Sequence, residues 1–213
     1  MDQQLINQKD SFTGYHTKQS LLAYLNFKFS GSLDSLRLSL LIVDLDRFKA
    51  INDHYGHLTG DEALKHFVKI LNKVLNGKHF VARYGGDEFV IVIDDTQYAN
   101  PSSQIAQSVE LANQIVAQLS QSQFYIQKKL KQLHCSIGIA HCPQDAKDHF
   151  SFVEAADNAL YYAKRHGRGR VAVFSKLGQQ SIQDTRRDIL KGLTLLSLVA
   201  ALAGIIYMNK VIR

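Results

Sequence analysis

Residues Leu38 to Val43 read Leu-Ser-Leu-Leu-Ile-Val and stop at Asp44-Leu45-Asp46. A short apolar run with no polar face suits a central strand covered on both sides. Period-two alternation puts Asp44 and Asp46 on one side of it. Carboxylates at the end of a buried strand are costly unless paired or metal-bound. Helical periodicity surrounds this strand. Lys18 to about Phe29 carries Leu21, Leu22 and Leu25 on one face. A helix beginning at Thr59 and running to about Leu75 is striped by Leu64, Phe67, Val68 and Leu71. Gln104 to Leu119 points Ile105, Val109, Ala112 and Val116 inward, and Phe152 to His166 closes the set. Gly56 and Gly60 read as a turn or helix stop, with Asp61 and Glu62 in the first turn that follows. Asn100-Pro101-Ser102-Ser103 reads as a loop.

Aromatic and β-branched segments supply the other strands. They are Phe80 to Ala82, Phe89 to Ile93, Phe124 to Ile126 paired with Leu133 to Ala140, and Val171 to Phe174. The order predicts an α/β (α+β) sandwich on a mainly antiparallel central sheet flanked by helices.

Between two of these strands lies Arg83-Tyr84-Gly85-Gly86-Asp87-Glu88-Phe89. Two glycines at a hairpin apex permit φ > 0 and leave the main chain bare. Two carboxylates just past the turn suit a hard cation. Taken alone, the stretch is equally an ordinary Gly-Gly hairpin with solvated acids behind it.

Composition narrows the partners. The 213 residues suit one domain of ordinary size with a short appendage, and 46% hydrophobic content supports a real core. A net charge of +6 fits an anionic ligand or membrane surface. Basic residues do not interleave with stacking aromatics, so nucleic acid is not an expected partner. Cys135 and Cys142 are an odd number of residues apart on one strand, hence on opposite faces, which argues against a disulfide. The N-terminus has no signal-peptide pattern, and residues 1–9 form a short polar lead with no room for a sensor domain.

Asp44 and Asp87 come from strands that would be neighbours, and together they make a two-carboxylate platform for Mg²⁺. Asn52 and Asp61 bring an amide and a carboxylate to one region. Such a pair can read guanine, whose N1–H and N2–H both donate. Lys164 and Arg168, four apart at a helix end, share a face able to bind phosphates. Singly, Asn52-Asp53 is also a common turn, and Lys164 with Arg168 a common solvated face. His54 and His57 have no third ligand nearby for zinc.

These motifs, in this order, resemble the GGDEF family, the diguanylate cyclases. The likeness covers about residues 10–175. It runs through Asp10-x-x-Thr13-Gly14, Asp44-Leu45-Asp46-x-Phe48-Lys49-x-x-Asn52-Asp53-x-x-Gly56-His57-x-x-Gly60-Asp61, and the Arg83–Phe89 signature. It continues through Ser136-Ile137-Gly138 and Ala156-Asp157-x-Ala159-Leu160-Tyr161-x-Ala163-Lys164-x-x-Gly167-Arg168. The resemblance implies a palm or nucleotidyl-cyclase-like fold. It implies that two GTP condense to cyclic di-GMP with release of two pyrophosphates across a two-fold homodimer. It implies Mg²⁺, or Mn²⁺, on Asp44, the Leu45 carbonyl and Asp87, with Asp87 or Glu88 helping to deprotonate the 3′-hydroxyl. Asn52, Asp61 and His57 would hold the guanine end, and Phe48, Lys49, Lys164 and Arg168 the phosphates. The Gly85-Gly86 turn would lie against the nucleotide.

Two departures carry expectations. The family's Arg-x-x-Asp product-inhibition site is here Asn76 and His79, so inhibition at that place is not expected. The early segment, which braces the site, has Phe12, Tyr15, Thr17 and Lys18 where the family has other residues. The alternative reading is a catalytically weak or inactive GTP-binding regulatory module; a cyclase of relaxed nucleotide choice is a further rival.

Past the domain, residues 176–191 read as a linker and 192–208 as an uncharged segment of roughly 25 Å if helical. That is near the lower limit for a bilayer core. Lys191 and Lys210 can snorkel at its ends and Tyr207 suits an interface, with 209–213 as a short tail. The expectation is a single-pass anchor in a bacterial inner membrane, with the catalytic domain cytoplasmic.

Overall fold

The structure, a computed structural model, describes residues 3–94 and 101–177. Nearly all of the linker 176–191, the apolar segment 192–208 and the tail 209–213 lie outside the described residues. Among the described residues, no helix is long and apolar enough to cross a membrane. The chain divides into Met1–Ser175 and Lys176–Arg213, and every site residue named above belongs to the first unit.

The elements in order are α1 (Gln3–Ile6), β1 (His16–Thr17), α2 (Lys18–Phe29), β2 (Leu38–Leu45), α3 (Phe48–Tyr55), α4 (His57–Leu75), β3 (Phe80–Arg83) and β4 (Glu88–Asp94). Then follow α5 (Pro101–Gln121), β5 (Phe124–Ile126), β6 (Lys129–Lys131), β7 (Cys135–Cys142), α6 (His149–Arg165) and β8 (Val171–Val173). Six strands form one sheet in the order β1-β3-β4-β2-β7-β8. Its three inner pairings are antiparallel and its two edge pairings, β1 with β3 and β7 with β8, are parallel. The sheet is therefore mixed around an antiparallel centre.

β2 is the axis of the sheet, and all eight of its residues are buried. Leu41, Val43 and Leu45 face a core shared with α4 and α5, where Phe67, Leu71, Phe89 and Ile115 pack. Leu38, Leu40 and Ile42 face a second core with Leu21, Leu25, Phe152 and Leu160 from α2 and α6. Cys135 belongs to the first core and Cys142 to the second, on opposite faces as their spacing predicts. Gly138 in β7 brings α6 close: a Cβ there would lie 2.2 Å from the Ala156 carbonyl oxygen and the Leu160 nitrogen.

Several expectations are corrected. Leu22 is 36% exposed and does not share the buried face of Leu21 and Leu25. Gly60 does not stop a helix. α4 already starts at His57, so Asp61 and Glu62 fall in its second turn. A Cβ on Gly60 would meet the Asn52 Oδ1 at 1.8 Å, so glycine there serves the close crossing of α3 and α4. Pro101 to Ser103 are helical, not loop, in keeping with the preference for proline in a first helical turn. β5 pairs with β6 in a separate two-stranded sheet. Gln127 and Lys128 take φ of 48° and 63°, the geometry of a tight two-residue hairpin. Residues 3–9 pack onto the domain, with the Thr17 amide donating to the Gln8 carbonyl at 3.0 Å.

Candidate active site

β2 and β4 meet in register at the acids. Asp44 stands opposite Glu88, and the Leu45 amide donates to the Asp87 carbonyl at 3.3 Å. The strand end and the hairpin thus bring Asp44, Asp87 and Glu88 to one place. Asp44 is 8% exposed. Burial pushes its carboxyl up to about 6, and the neighbouring Asp87 and Glu88 charges add to that against the opposing pull of Lys164. Burial likewise raises Asp87. The Lys164 ammonium lies 2.8 Å from Asp44 Oδ2.

This imbalance is the local test for a cation. Three carboxylates face one close ammonium, and two of them are held above their ordinary range. A divalent ion would relieve that cost. Among the described residues no group of three or more His, Cys, Asp or Glu is placed to hold a metal ion by itself. An oxygen set this sparse suits magnesium, which keeps waters and substrate phosphates.

The signature turn is glycine-rich for a different reason from the one expected. Neither Gly85 nor Gly86 has positive φ. A Cβ on Gly85 would lie 2.9 Å from Glu88 Oε2, so Gly85 makes room for that side chain. Gly86 has open space where a Cβ would be. Arg83 holds the turn, its Nε and Nη2 donating to the Gly86 carbonyl at 3.2 and 2.8 Å. Its Nη1 reaches Asp10 Oδ1 at 3.4 Å. The same Asp10 oxygen accepts the Thr13 amide at 2.8 Å and the Thr13 hydroxyl at 2.7 Å.

That brace is where pattern reading fell short. The departing residues of the early segment all have local partners. Lys18 Nζ sits 4.1 Å from the Tyr84 ring centre, and the Phe12 ring lies 5.3 Å from the Arg83 guanidinium. Tyr15 meets Phe89 edge-on at 6.0 Å and donates its hydroxyl to Asn72 Oδ1 at 2.8 Å. Thr17 caps α2 through the Ser20 amide. The signal available in sequence was the clustering of new aromatic and basic residues at both ends of this contact.

Asn52 and Asp61 approach each other across the α3–α4 crossing. Asn52 Oδ1 is buried with no hydrogen-bond partner among the described residues, lying over Gly60, the residue before Asp61. His57 is exposed at the start of α4 and Lys49 is exposed on α3. Phe48 is different: it is 9% exposed and belongs to the main core, so its ring is closed to a ligand. Lys164 and Arg168 do not share a helix face. α6 ends at Arg165, and Arg168 sits beyond it with φ of 59°.

Asp46 also departs from prediction. It lies past the end of β2 and turns to structural work. Its Oδ1 accepts the Ser136 hydroxyl at 2.8 Å and its Oδ2 the Gly169 amide at 2.9 Å. It thereby ties the 167–169 turn, which carries Arg168, to the head of α3.

A mixed sheet with an antiparallel centre, helices on both faces and clustered acids at one strand end defines a palm-like α/β domain. The chain belongs to the family described as diguanylate cyclase, GGDEF domain, whose model matches residues 7–170. It is 33% identical over 137 residues to a diguanylate cyclase of Vibrio cholerae, covering 64% of this chain and 40% of that protein. It is 36% identical over 136 residues to diguanylate cyclase A of Treponema denticola, covering 64% of this chain and 35% of that one. The chain therefore spans well under half the length of these curated relatives. Among solved structures it is similar to the GGDEF domain of DgcB from Caulobacter crescentus in complex with c-di-GMP. The TM-score is 0.68 at 26% identity, over 78% of this chain and 95% of that one.

Proposed function

We propose that this protein is a diguanylate cyclase, condensing two GTP into cyclic di-GMP and two pyrophosphates. The observation that carries the reading is the convergence of Asp44 and Asp87, joined through the Leu45–Asp87 backbone bond, beneath the bare Gly85-Gly86 turn. Asp44, the Leu45 carbonyl and Asp87 would hold Mg²⁺ or Mn²⁺, which supplies charge neutralisation at the phosphates and a more acidic attacking hydroxyl. Asp87 or Glu88 takes the 3′-hydroxyl proton. Asn52 and Asp61, with His57 beside them, select guanine. The unpaired Asn52 amide oxygen supports a polar ligand there. An adenine ring would leave the Asp61 carboxylate without its donors. Lys49, the Phe48 backbone, Lys164 and Arg168 bind the phosphate tail.

Each chain carries one nucleotide site, so closing a two-fold product requires two chains facing each other. The intact brace from Asp10 through Arg83 to Gly86 supports a working enzyme over an inactive GTP-binding module. We place the protein at a bacterial inner membrane through residues 192–208, with the domain in the cytoplasm where GTP is found. Deleting residues 189–213 should release it to the soluble fraction.

The decisive assay is purified protein with Mg²⁺ and GTP, following cyclic di-GMP and pyrophosphate. Asp87→Ala should abolish product, and Asp61→Ala should mainly weaken the choice of GTP over ATP. GTP binding without product in the parent protein would replace the cyclase reading with the regulatory one.

A further inference from the structure

A second cleft lies behind the proposed phosphate site. Its volume is about 810 Å³, and it is walled by α3, by the segment from Lys131 to His134 and by the 167–169 turn. Three cations from three separate elements line it: Arg47 ahead of α3, Lys131 at the end of β6, and Arg168. The acid among its lining residues is Asp46, whose two oxygens are already engaged by Ser136 and Gly169. Among the described residues no carboxylate pairs with Arg47, Lys131 or Arg168. Lys131 Nζ instead lies 5.9 Å from the Tyr55 ring centre. His54 donates its Nδ1–H to the Ala50 carbonyl at 2.9 Å, leaving Nε2 uncommitted at the wall.

Three cations gathered in a concave space against one carboxylate leave an excess of positive charge, which costs free energy unless an anion joins them. The cleft opens on the α3 face that carries Arg47, Ala50, Ile51 and His54, about 140° around the helix from Asn52. It is thus turned away from the α3–α4 crossing where guanine is proposed, and the two sites share Arg168 at their border. Three cations on three walls favour linked phosphates over a single one, because the added charges gain partners and the guanidinium groups act as forks.

We infer that this cleft is a second anion site that takes a diphosphate group. Inorganic pyrophosphate leaving the neighbouring phosphate site and the diphosphate of a nucleotide share that chemistry. The inference leans on the proposed phosphate site only for the identity of the pyrophosphate source.

The test is calorimetric titration of the full-length protein with sodium pyrophosphate, and separately with ADP, at low and high salt. The Arg47→Gln/Lys131→Gln double variant should bind pyrophosphate at least tenfold more weakly than the parent. Lys73→Gln, which removes an exposed charge on α4 away from both sites, should bind it within about twofold of the parent. Affinity should fall as salt rises. ADP binding more tightly than pyrophosphate would identify the nucleotide as occupant; equal binding would identify the diphosphate alone. Absence of pyrophosphate binding to the parent overturns the inference. So does binding that survives in the double variant but is lost in Lys164→Gln, which would put the anion in the triphosphate site. Because the titration needs no turnover, a protein that makes no cyclic di-GMP yet shows the expected variant pattern would sink the proposed function and leave this site standing.

Discussion

β2 and β7 carry polar residues at both ends, and the two ends treat them in opposite ways. At the far end Ser39 stands opposite His141, under α5. Gln104 Nε2 donates to Ser39 at 3.3 Å, and His141 Nε2 lies 2.9 Å from Ser108 Oγ. The Ser108 hydroxyl also lies 3.0 Å from the Ile105 carbonyl, so the histidine is the donor of that pair. Asp145 accepts the His141 amide at 2.8 Å. Ser39, Gln104, Ser108 and His141 are all buried and bond to one another in two pairs, with Gln104 Oε1 and His141 Nδ1 left without a hydrogen-bond partner among the described residues. At the near end Asp44 stands opposite Ser136, and three carboxylates converge with one close ammonium. A polar cluster sealed from solvent, with its hydrogen bonds running between its own members, builds structure. One left with excess charge at an opening is built for something that arrives from outside.

The largest test of that contrast is a pair of substitutions with opposite signatures. Asp87→Asn should reduce cyclic di-GMP formation on the order of a thousandfold, about 4 kcal/mol of barrier. Its thermal midpoint should stay at or above that of the parent, since a strained charge has been removed. A midpoint several degrees lower would mean that Asp87 is structural.

The next effect is the cost of Asp44 itself, read in metal-free protein. Its folded-state value of about 6 lies above the ordinary aspartate value of 3.8. The folded state therefore binds more protons than the unfolded chain between those values, and this group's stability contribution rises as pH falls through that window. Asp44→Asn should stabilise the metal-free protein at pH 7.5 by at most about 3 kcal/mol, with the gain vanishing below pH 4. Denaturant midpoints at the two pH values measure it. Saturating Mg²⁺ should shrink the gain at pH 7.5, because an ion that binds only the folded parent stabilises it.

At the far end the signature inverts. His141→Ala removes the Nε2–H donor to Ser108 Oγ and the imidazole that lies 3.6 Å from Asp145 Oδ2, and it opens a cavity. It should cost about 2 to 3 kcal/mol of stability and leave turnover per folded molecule within about twofold. A selective loss of turnover would show that this end is coupled to the acids.

The far end was also the harder one to read in the sequence. The acids, the glycine turn and the apolar run of β2 announce themselves, because charge at the end of a buried strand has few innocent explanations. Periodicity gives α5 an inward face of Ile105, Val109, Ala112 and Val116. Its fully buried positions are Gln104, Ser108, Ala112, Ile115 and Leu119. The stripe was displaced because two inward residues are polar, and polarity alone does not reveal that the opposing strand offers Ser39 and His141. Gly60 was misread for a related reason. A glycine that ends a helix and one that lets another helix approach look identical until the neighbour is in place. Arg168 counts as four residues from Lys164, but the chain leaves the α-helix between them. The contacts from Phe12, Tyr15 and Lys18 to the hairpin join segments far apart in sequence, and periodicity carries no information about such pairs.

The smallest effect sharpens the comparison at its border, where the brace meets the acids. Burial pushes the Asp10 carboxyl up, but the two Thr13 hydrogen bonds and Arg83 outweigh it and hold the group below its ordinary value. Its stabilisation is thus present above the unfolded-state value and lost as pH falls through the lower folded-state one. Asp10→Asn keeps an acceptor for Thr13 and removes only the attraction for Arg83, a pair about one-fifth exposed on each side. Such a pair is worth under about 1 kcal/mol, so the midpoint should barely move. Arg83, however, also grips the Gly86 carbonyl, and a looser guanidinium loosens the turn that carries Asp87. Turnover should fall a few-fold with no change in the preference for GTP over ATP. The deficit should narrow at high salt, where the parent's ion pair is screened as well. If turnover were untouched while stability fell, the brace would belong with the enclosed far end, as scaffold that happens to border the site.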